Sequence, residues 1–87
     1  MRVARTDWTD WYVDNDRSAV FVGGQVVVVS VLATSLLRYV GSGIDVADLA
    51  AALVDEFGAP DGVDAASVTT TAVGDLLACG VLTEVSL

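Results

Sequence analysis

Apolar residues along this chain change their spacing once, near residue 30. Before that point they come in short β-prone runs broken by turn residues. Trp8 to Val13 is aromatic and β-branched, and Asp14-Asn15-Asp16 supplies turn chemistry. Ser18 to Val22 reads as a second strand, Gly23-Gly24 as a two-residue hairpin turn, and Gln25 to Val29 as a third strand. Two adjacent glycines can both take the positive φ angles of a primed turn. Residues 1–7 carry two Arg and no apolar run, and are expected to be a loose tail.

After residue 30 the spacing becomes helical. Ser30 can cap a short helix reaching Tyr39 or Val40, with Leu32, Leu36 and Leu37 on one face and Gly41-Ser42-Gly43 behind it. Asp45 caps a second helix, in which Val46, Leu49, Ala50, Leu53, Val54 and Phe57 keep the helical period until Gly58-Ala59-Pro60. Asp48 places negative charge at its amino-terminal turn. Asp64, closing the Asp61–Asp64 loop, caps a third helix over Ala65–Cys79 that Gly80 terminates. Val81, Leu82 and Val85 then extend the core or form a last short strand. The expected fold is α+β, a winged helix-turn-helix with one three-stranded antiparallel sheet followed by three helices, in a single domain spanning residues 1–87.

Charge changes what such a fold can do. No Lys or Arg follows Arg38, while eight acids lie between Tyr39 and Leu87, and the whole chain carries a net −8. Affinity for nucleic acid rests on cations that neutralise phosphates, so duplex DNA is not an expected partner. Basic partners are favoured instead. The most apolar stretch, Val26 to Leu37, is shorter than a membrane span needs and is interrupted by Ser30, Thr34 and Ser35. With no signal peptide, a soluble cytoplasmic protein without a membrane partner is expected.

Catalytic chemistry finds no foothold. There is no His and one Cys, Cys79, which excludes Ser–His and Cys–His catalysis, histidine-containing zinc sites and internal disulfides. A lone Cys near a helix end reads as a small buried hydrophobe. The acid pairs Asp45/Asp48 and Asp55/Glu56 fall near helix ends as caps and solvated faces, unlike carboxylates whose environments split their pKa values. Gly23-Gly24 has neither the spacing nor the Lys of a phosphate loop. A small acidic helical protein also raises the possibility of an acyl carrier. The comparable helix start here is Ile44-Asp45-Val46 rather than Asp-Ser-Leu, and the chain opens with strands. No catalytic residue, metal site or cofactor is expected.

Val26-Val27-Val28-Val29 admits two readings. An unbroken β-branched run suits a strand buried on both faces. As the last strand of a hairpin series it would instead be an apolar edge, which invites pairing with another chain. The third helix is similarly open. Val68, Ala72, Val73 and Leu76 are core candidates, while Ala65, Ala66, Ala72 and Thr69–Thr71 could floor a shallow groove. Gly74 in mid-helix fits either close approach by another chain or a tolerated surface position.

The order strand, strand, Gly-Gly, strand, three helices resembles the PqqD-like family of precursor-peptide recognition elements in ribosomal peptide biosynthesis. Three stretches carry the resemblance. Gln25-Val26-Val27-Val28-Val29-Ser30 is similar to the family's apolar third strand entering the first helix. Asp45–Gly58, with Leu49-Ala50, Leu53 and Phe57, resembles its second helix. Leu76-Leu77-Ala78-Cys79-Gly80-Val81-Leu82 resembles its closing segment. The match runs from about Trp11 to Val85 and is nearest to the free-standing leader-binding proteins of actinobacterial lasso-peptide pathways. Relatives often carry an acid early in the third helix, where this chain has Val68 and Thr69.

The resemblance implies a non-catalytic adaptor. It would hold the leader of a precursor peptide as an added strand, in a cleft walled by the third helix. It would then deliver the precursor to a separate transglutaminase-like leader peptidase and a cyclase. Carried onto this chain, the implied peptide-binding residues are Val26, Val27, Val28, Val29 and Ser30 on the strand and Val68, Thr69, Ala72, Val73 and Leu76 on the helix. A leader Tyr and Pro would fill apolar pockets. The alternative is an acidic winged-helix regulator acting through protein partners, or on DNA with a partner supplying the positive charge.

Overall fold

The computed structural model describes residues 1–58, 61, 62 and 64–85. It is a small α+β domain with antiparallel sheets and three helices. The strands are β1 (Arg2–Arg5), β2 (Asp10–Asp14), β3 (Arg17–Val22), β4 (Gln25–Val29), β5 (Ile44–Asp45) and β6 (Leu82–Val85), and the helices are α1 (Val31–Val40), α2 (Val46–Phe57) and α3 (Ala65–Ala78). The expected single sheet is corrected to two, ordered β2-β3-β4 and β5-β1-β6.

The largest correction concerns residues 1–7. They are not a loose tail. β1 is the central strand of the second sheet, pairing Arg2 and Val3 with Asp45 and Ile44 on one side and Arg2 to Arg5 with Val85 to Leu82 on the other. Val3 is fully buried, and the Val46 N–H donates to the Met1 carbonyl at 2.8 Å. Arg5 ties this sheet to its surroundings. Its Nη2 donates to the Leu37 carbonyl at 3.0 Å, in the last turn of α1 where a cation complements the helix dipole. Its guanidinium lies 4.8 Å from the Trp8 ring and 4.9 Å from that of Trp11, an arrangement favourable to cation–π attraction.

The hairpin forms as its sequence dictates. Gly23 and Gly24 take φ of +59° and +77°, the geometry that lets a two-residue turn follow the twist of its strands. Helix boundaries also follow their caps. Ser30 accepts from the Ala33 N–H, Asp45 from Ala47 and Asp64 from Ala66. At the end of α3, which stops at Ala78 rather than Cys79, the Val81 N–H reaches the Leu76 carbonyl and Gly80 that of Leu77, a Schellman closure with Gly80 at φ +80°. The proposed stop at Ala59-Pro60 and the loop position Val63 lie outside the described residues. Among the described residues, no helix is long and apolar enough to cross a membrane.

The core gathers Val3, Val20, Leu36, Leu37, Leu49, Val73 and Val81 between the sheets and the helices. The three polar interruptions of the Val26–Leu37 stretch all find partners. Ser30 caps α1, Thr34 shares a buried 2.9 Å hydrogen bond with Ser18 of β3, and Ser35 Oγ donates to Glu56 Oε2 at 2.6 Å. Tyr39 donates to the other Glu56 oxygen at 2.8 Å. Gly74 is exposed, and a Cβ built on it would meet nothing within 4 Å. No close packing within the fold therefore demands a glycine there.

Two stability predictions follow from this packing. Val3→Ala should cost roughly 2 kcal/mol, because it empties a filled site in the central strand. A urea unfolding curve would measure this, and a change of only a few tenths would show that β1 is dispensable. The Ser35 bond, with that of Tyr39 second, holds the Glu56 carboxyl below the usual carboxylate range, and the same Glu56 bond pushes the Tyr39 hydroxyl up. A depressed carboxyl stabilises the fold above its unfolded pKa, and that stability is lost as pH falls through the folded value. The raised Tyr39 contributes below its unfolded pKa and loses that contribution as pH rises through the folded one. Glu56→Gln should therefore flatten both the acid and the alkaline limbs of urea midpoint against pH.

Candidate functional site

β4 is an edge strand: β3 pairs with one side of it and, among the described residues, no strand pairs with the other. The Val run is thus not buried on both faces. Val27 turns inward, half-buried, and Val29 is buried, whereas Val26 and Val28 are exposed on the outer face. The hairpin register determines what the free edge offers. Val22 and Gln25 close a two-residue turn and exchange both backbone bonds, and such pairs alternate along an antiparallel ladder. Val27 and Val29 are therefore bonded to β3, while Val26 and Val28 direct their N–H and C=O groups away from it. The Phe21 carbonyl agrees with this phase. It accepts from the Thr9 N–H at 2.7 Å on the β2 side, so it does not serve its own cross-strand partner, Val26.

Beside this edge runs a groove of about 250 Å³ between β4 and α3. Val27, Val28, Val29 and Ser30 form one wall, Ala72, Asp75, Leu76 and Cys79 the other, and Ala33 contributes from α1. The α3 residues recur at helical spacing, so one stripe faces the strand. At the hairpin end, Gln25 Nε2 donates to the Cys79 carbonyl at 3.2 Å and joins β4 to the end of α3. At the other end the groove continues past Ser30 and Leu32 over Val68 and Thr71. It reaches an apolar hollow of about 400 Å³ bounded by Leu53, Val54, Phe57, Val68 and Thr69.

Of the ten expected binding residues, the groove brings together Val27, Val28, Val29, Ser30, Ala72 and Leu76. Val26 lies on the same edge but its side chain points to the outer face. Val68 lines the neighbouring hollows. Thr69 and Val73 belong to a buried stripe with Leu76, and Val73 is fully enclosed in the core. Direct contact with a peptide in the groove is thus not available to Val73.

Sequence reasoning missed Gln25, Ala33, Asp75 and Cys79. The helical period was a usable signal for two of them, because stepping from Ala72 by three and seven reaches Asp75 and Cys79. Apolar and small residues occur around much of α3, however, so the pattern alone did not identify the stripe facing β4. Cys79 is half-buried, its Sγ 3.6 Å from the Leu76 carbonyl. The early-helix acid absent from this chain has a counterpart in kind: Asp75 places a carboxylate on the groove wall two turns later.

The chain matches no family model, no curated protein and no solved structure. What the site can do therefore rests on its own geometry. An unpaired strand edge offers main-chain donors and acceptors to another extended segment, the adjoining apolar groove can receive alternate side chains, and Asp75 favours a basic group.

The register makes a prediction that needs no ligand. In native-state hydrogen exchange, the Val26 and Val28 amides should exchange much faster than those of Val27 and Val29, which the β3 ladder protects. Equal protection at all four would overturn the assignment of the free edge.

Proposed function

We propose that this protein is a non-catalytic adaptor that captures the leader segment of a ribosomally made precursor, of the lasso-peptide kind, as an added strand on β4. The scaffold is read as a winged helix-turn-helix with β3–β4 as its wing. One observation carries the proposal: the Val26 and Val28 backbone groups face outward beside an apolar groove walled by Ala72 and Leu76. The resemblance of Gln25–Ser30, Asp45–Gly58 and Leu76–Leu82 to PqqD-like recognition elements supports the same reading. The adaptor hands the bound precursor to a transglutaminase-like leader peptidase and a cyclase. It works in the cytoplasm without a cofactor or nucleic acid.

Affinity in the micromolar to nanomolar range, roughly 8–12 kcal/mol, suits such a site. Main-chain pairing should carry much of it. Val28→Ala trims an outward side chain and should change leader affinity little. Val28→Pro removes an N–H that faces the added strand and should weaken binding by about fivefold or more. Val27→Pro removes an N–H already used by β3, so it should destabilise the hairpin itself. Asp75→Asn should reduce affinity selectively for leaders with Lys or Arg opposite the groove, and this difference should shrink in high salt.

Fluorescence polarisation with the leader of the neighbouring precursor gene would measure these effects, with circular dichroism confirming that each variant is folded. Isotope-labelled protein should show leader-induced amide shifts along Val26–Ser30 and the Ala72–Leu76 face. Shifts confined to α2, or no binding by a cognate leader, would sink the proposal.

A further inference from the structure

A run of four valines gives an added strand no register of its own. Val26 and Val28 both turn their main-chain groups to the free edge. A leader moved along by two residues, roughly 6.8 Å, would meet the same backbone chemistry again. A shift of one residue is already disfavoured, because it exchanges the side chains facing the groove with those facing outward. Asp75 separates the remaining registers only for a leader with a well-placed cation. The two ends of the edge differ, however. At the far end Ser30 has its Oγ and its carbonyl committed to the Ala33 and Thr34 N–H groups, and the groove runs on. At the hairpin end the outward ladder stops at Val26, since Gln25 pairs with Val22 and Gly24 lies in the turn. There the exposed Gln25 side chain is held in place, its Nε2 donating to the Cys79 carbonyl at 3.2 Å. Cys79 is the C-cap of α3, where helix carbonyls lack intrahelical partners. A side-chain amide has two N–H donors and a carbonyl acceptor. Among the described residues this is the one hydrogen bond that the Gln25 side chain makes.

We propose that Gln25 sets the register of the captured leader. Its amide closes the hairpin end of the groove and hydrogen-bonds the main chain of the leader residue just past the Val26 pairing. The inference rests on the adaptor reading and deepens it by naming the residue that positions the cargo. A leader displaced two residues towards the turn runs into the Gln25–Cys79 bridge. Breaking that bridge leaves the Cys79 carbonyl without its partner. A leader displaced the other way leaves the Val26 main chain unpaired and the remaining Gln25 groups unused. One register keeps the bridge and fills both. Because the amide meets main-chain groups, it selects this register whatever side chains the leader carries, which Asp75 does not. A fixed register matters to an adaptor, since it fixes where the processed part of the precursor emerges.

Cys79 lines the groove at this end and can report the register directly. Synthetic leaders of the neighbouring precursor gene, each with one Cys at a successive position, would be equilibrated with the protein in a glutathione buffer. The mixed disulfide with Cys79 would then be measured for each position. In wild type, trapping should peak at one leader position and fall by about fivefold or more two residues to either side. In Gln25→Ala, that position and its neighbours two residues away should trap within about twofold of one another, while affinity for the unmodified leader falls by about threefold or less. Gln25→Glu has the same length but cannot donate to the Cys79 carbonyl, and should lose the single peak as Gln25→Ala does. The rate of Cys79 with a small thiol reagent normalises each variant for exposure, and circular dichroism confirms the fold.

A purely structural role for Gln25 would lower trapping at all positions alike and leave the peak where it was. That result overturns the inference, as does a single peak retained in both variants or a wild type that already traps equally at positions two residues apart. In each of these cases the leader still binds, so the adaptor reading stands. A wild type that binds no cognate leader rejects the adaptor reading itself and this inference with it.

Discussion

Residues from the beginning, middle and end of the chain meet in the β5-β1-β6 sheet, and the other elements are arranged around that meeting. A lone four-residue strand has no stability of its own, since its backbone groups gain nothing over water until a partner satisfies them. β1 acquires two partners at once, one from the α1–α2 connection and one after α3. This closes the helical half of the molecule and encloses Val3. Arg5 extends the tie outward: its hydrogen bond reaches the end of α1, and its planar guanidinium packs against both Trp8 and Trp11 at the entrance to β2. The position of the hairpin over the helices therefore depends on the chain's first turn of sequence.

Within that frame the hairpin needs a defined approach to α1 and α3. The Ser18–Thr34 bond supplies one constraint, because two buried hydroxyls satisfy each other only in one relative placement. Gln25 supplies another by bridging to the Cys79 carbonyl. Between these ties β4 stays apart from α3 along its middle, and that separation is the groove. An apolar edge of this kind carries an aggregation cost in a free protein. Its retention beside a lined groove, rather than under a covering loop or behind a Lys, is the physical basis for reading it as a place where another strand belongs.

Charge and shape differ between the free edge and the outer sheet face. The edge strand itself is uncharged and offers main-chain groups, with Asp75 the carboxylate on the facing helical wall. The outer sheet face combines exposed Tyr12 and Val28 with acids at its margin. The groove lining holds no Lys or Arg, and the hollow beside the outer face holds Arg17 among acids, too little positive charge for phosphate recognition.

Local physics made much of this molecule legible. Gly23-Gly24 between β-prone runs specified the hairpin, because two glycines adopt two successive positive φ angles without strain. Ser30, Asp45 and Asp64 marked the helix starts because their short side chains cap exposed N–H groups. Gly80 marked the end of α3 for the converse reason. The edge from Val26 to Val29 was legible as a possibility, as were Ala72 and Leu76 opposite it. What the linear pattern lacked was any signal whose cause lies far along the chain. Arg-Val-Ala-Arg has neither alternation nor length, and becomes a central strand only because Leu82–Val85 and Ile44-Asp45 arrive on either side. Val73 and Asp75 are two positions apart, yet one is sealed in the core and the other faces the groove. Local patterning proposed the helix; packing against α2 and β6 selected its faces.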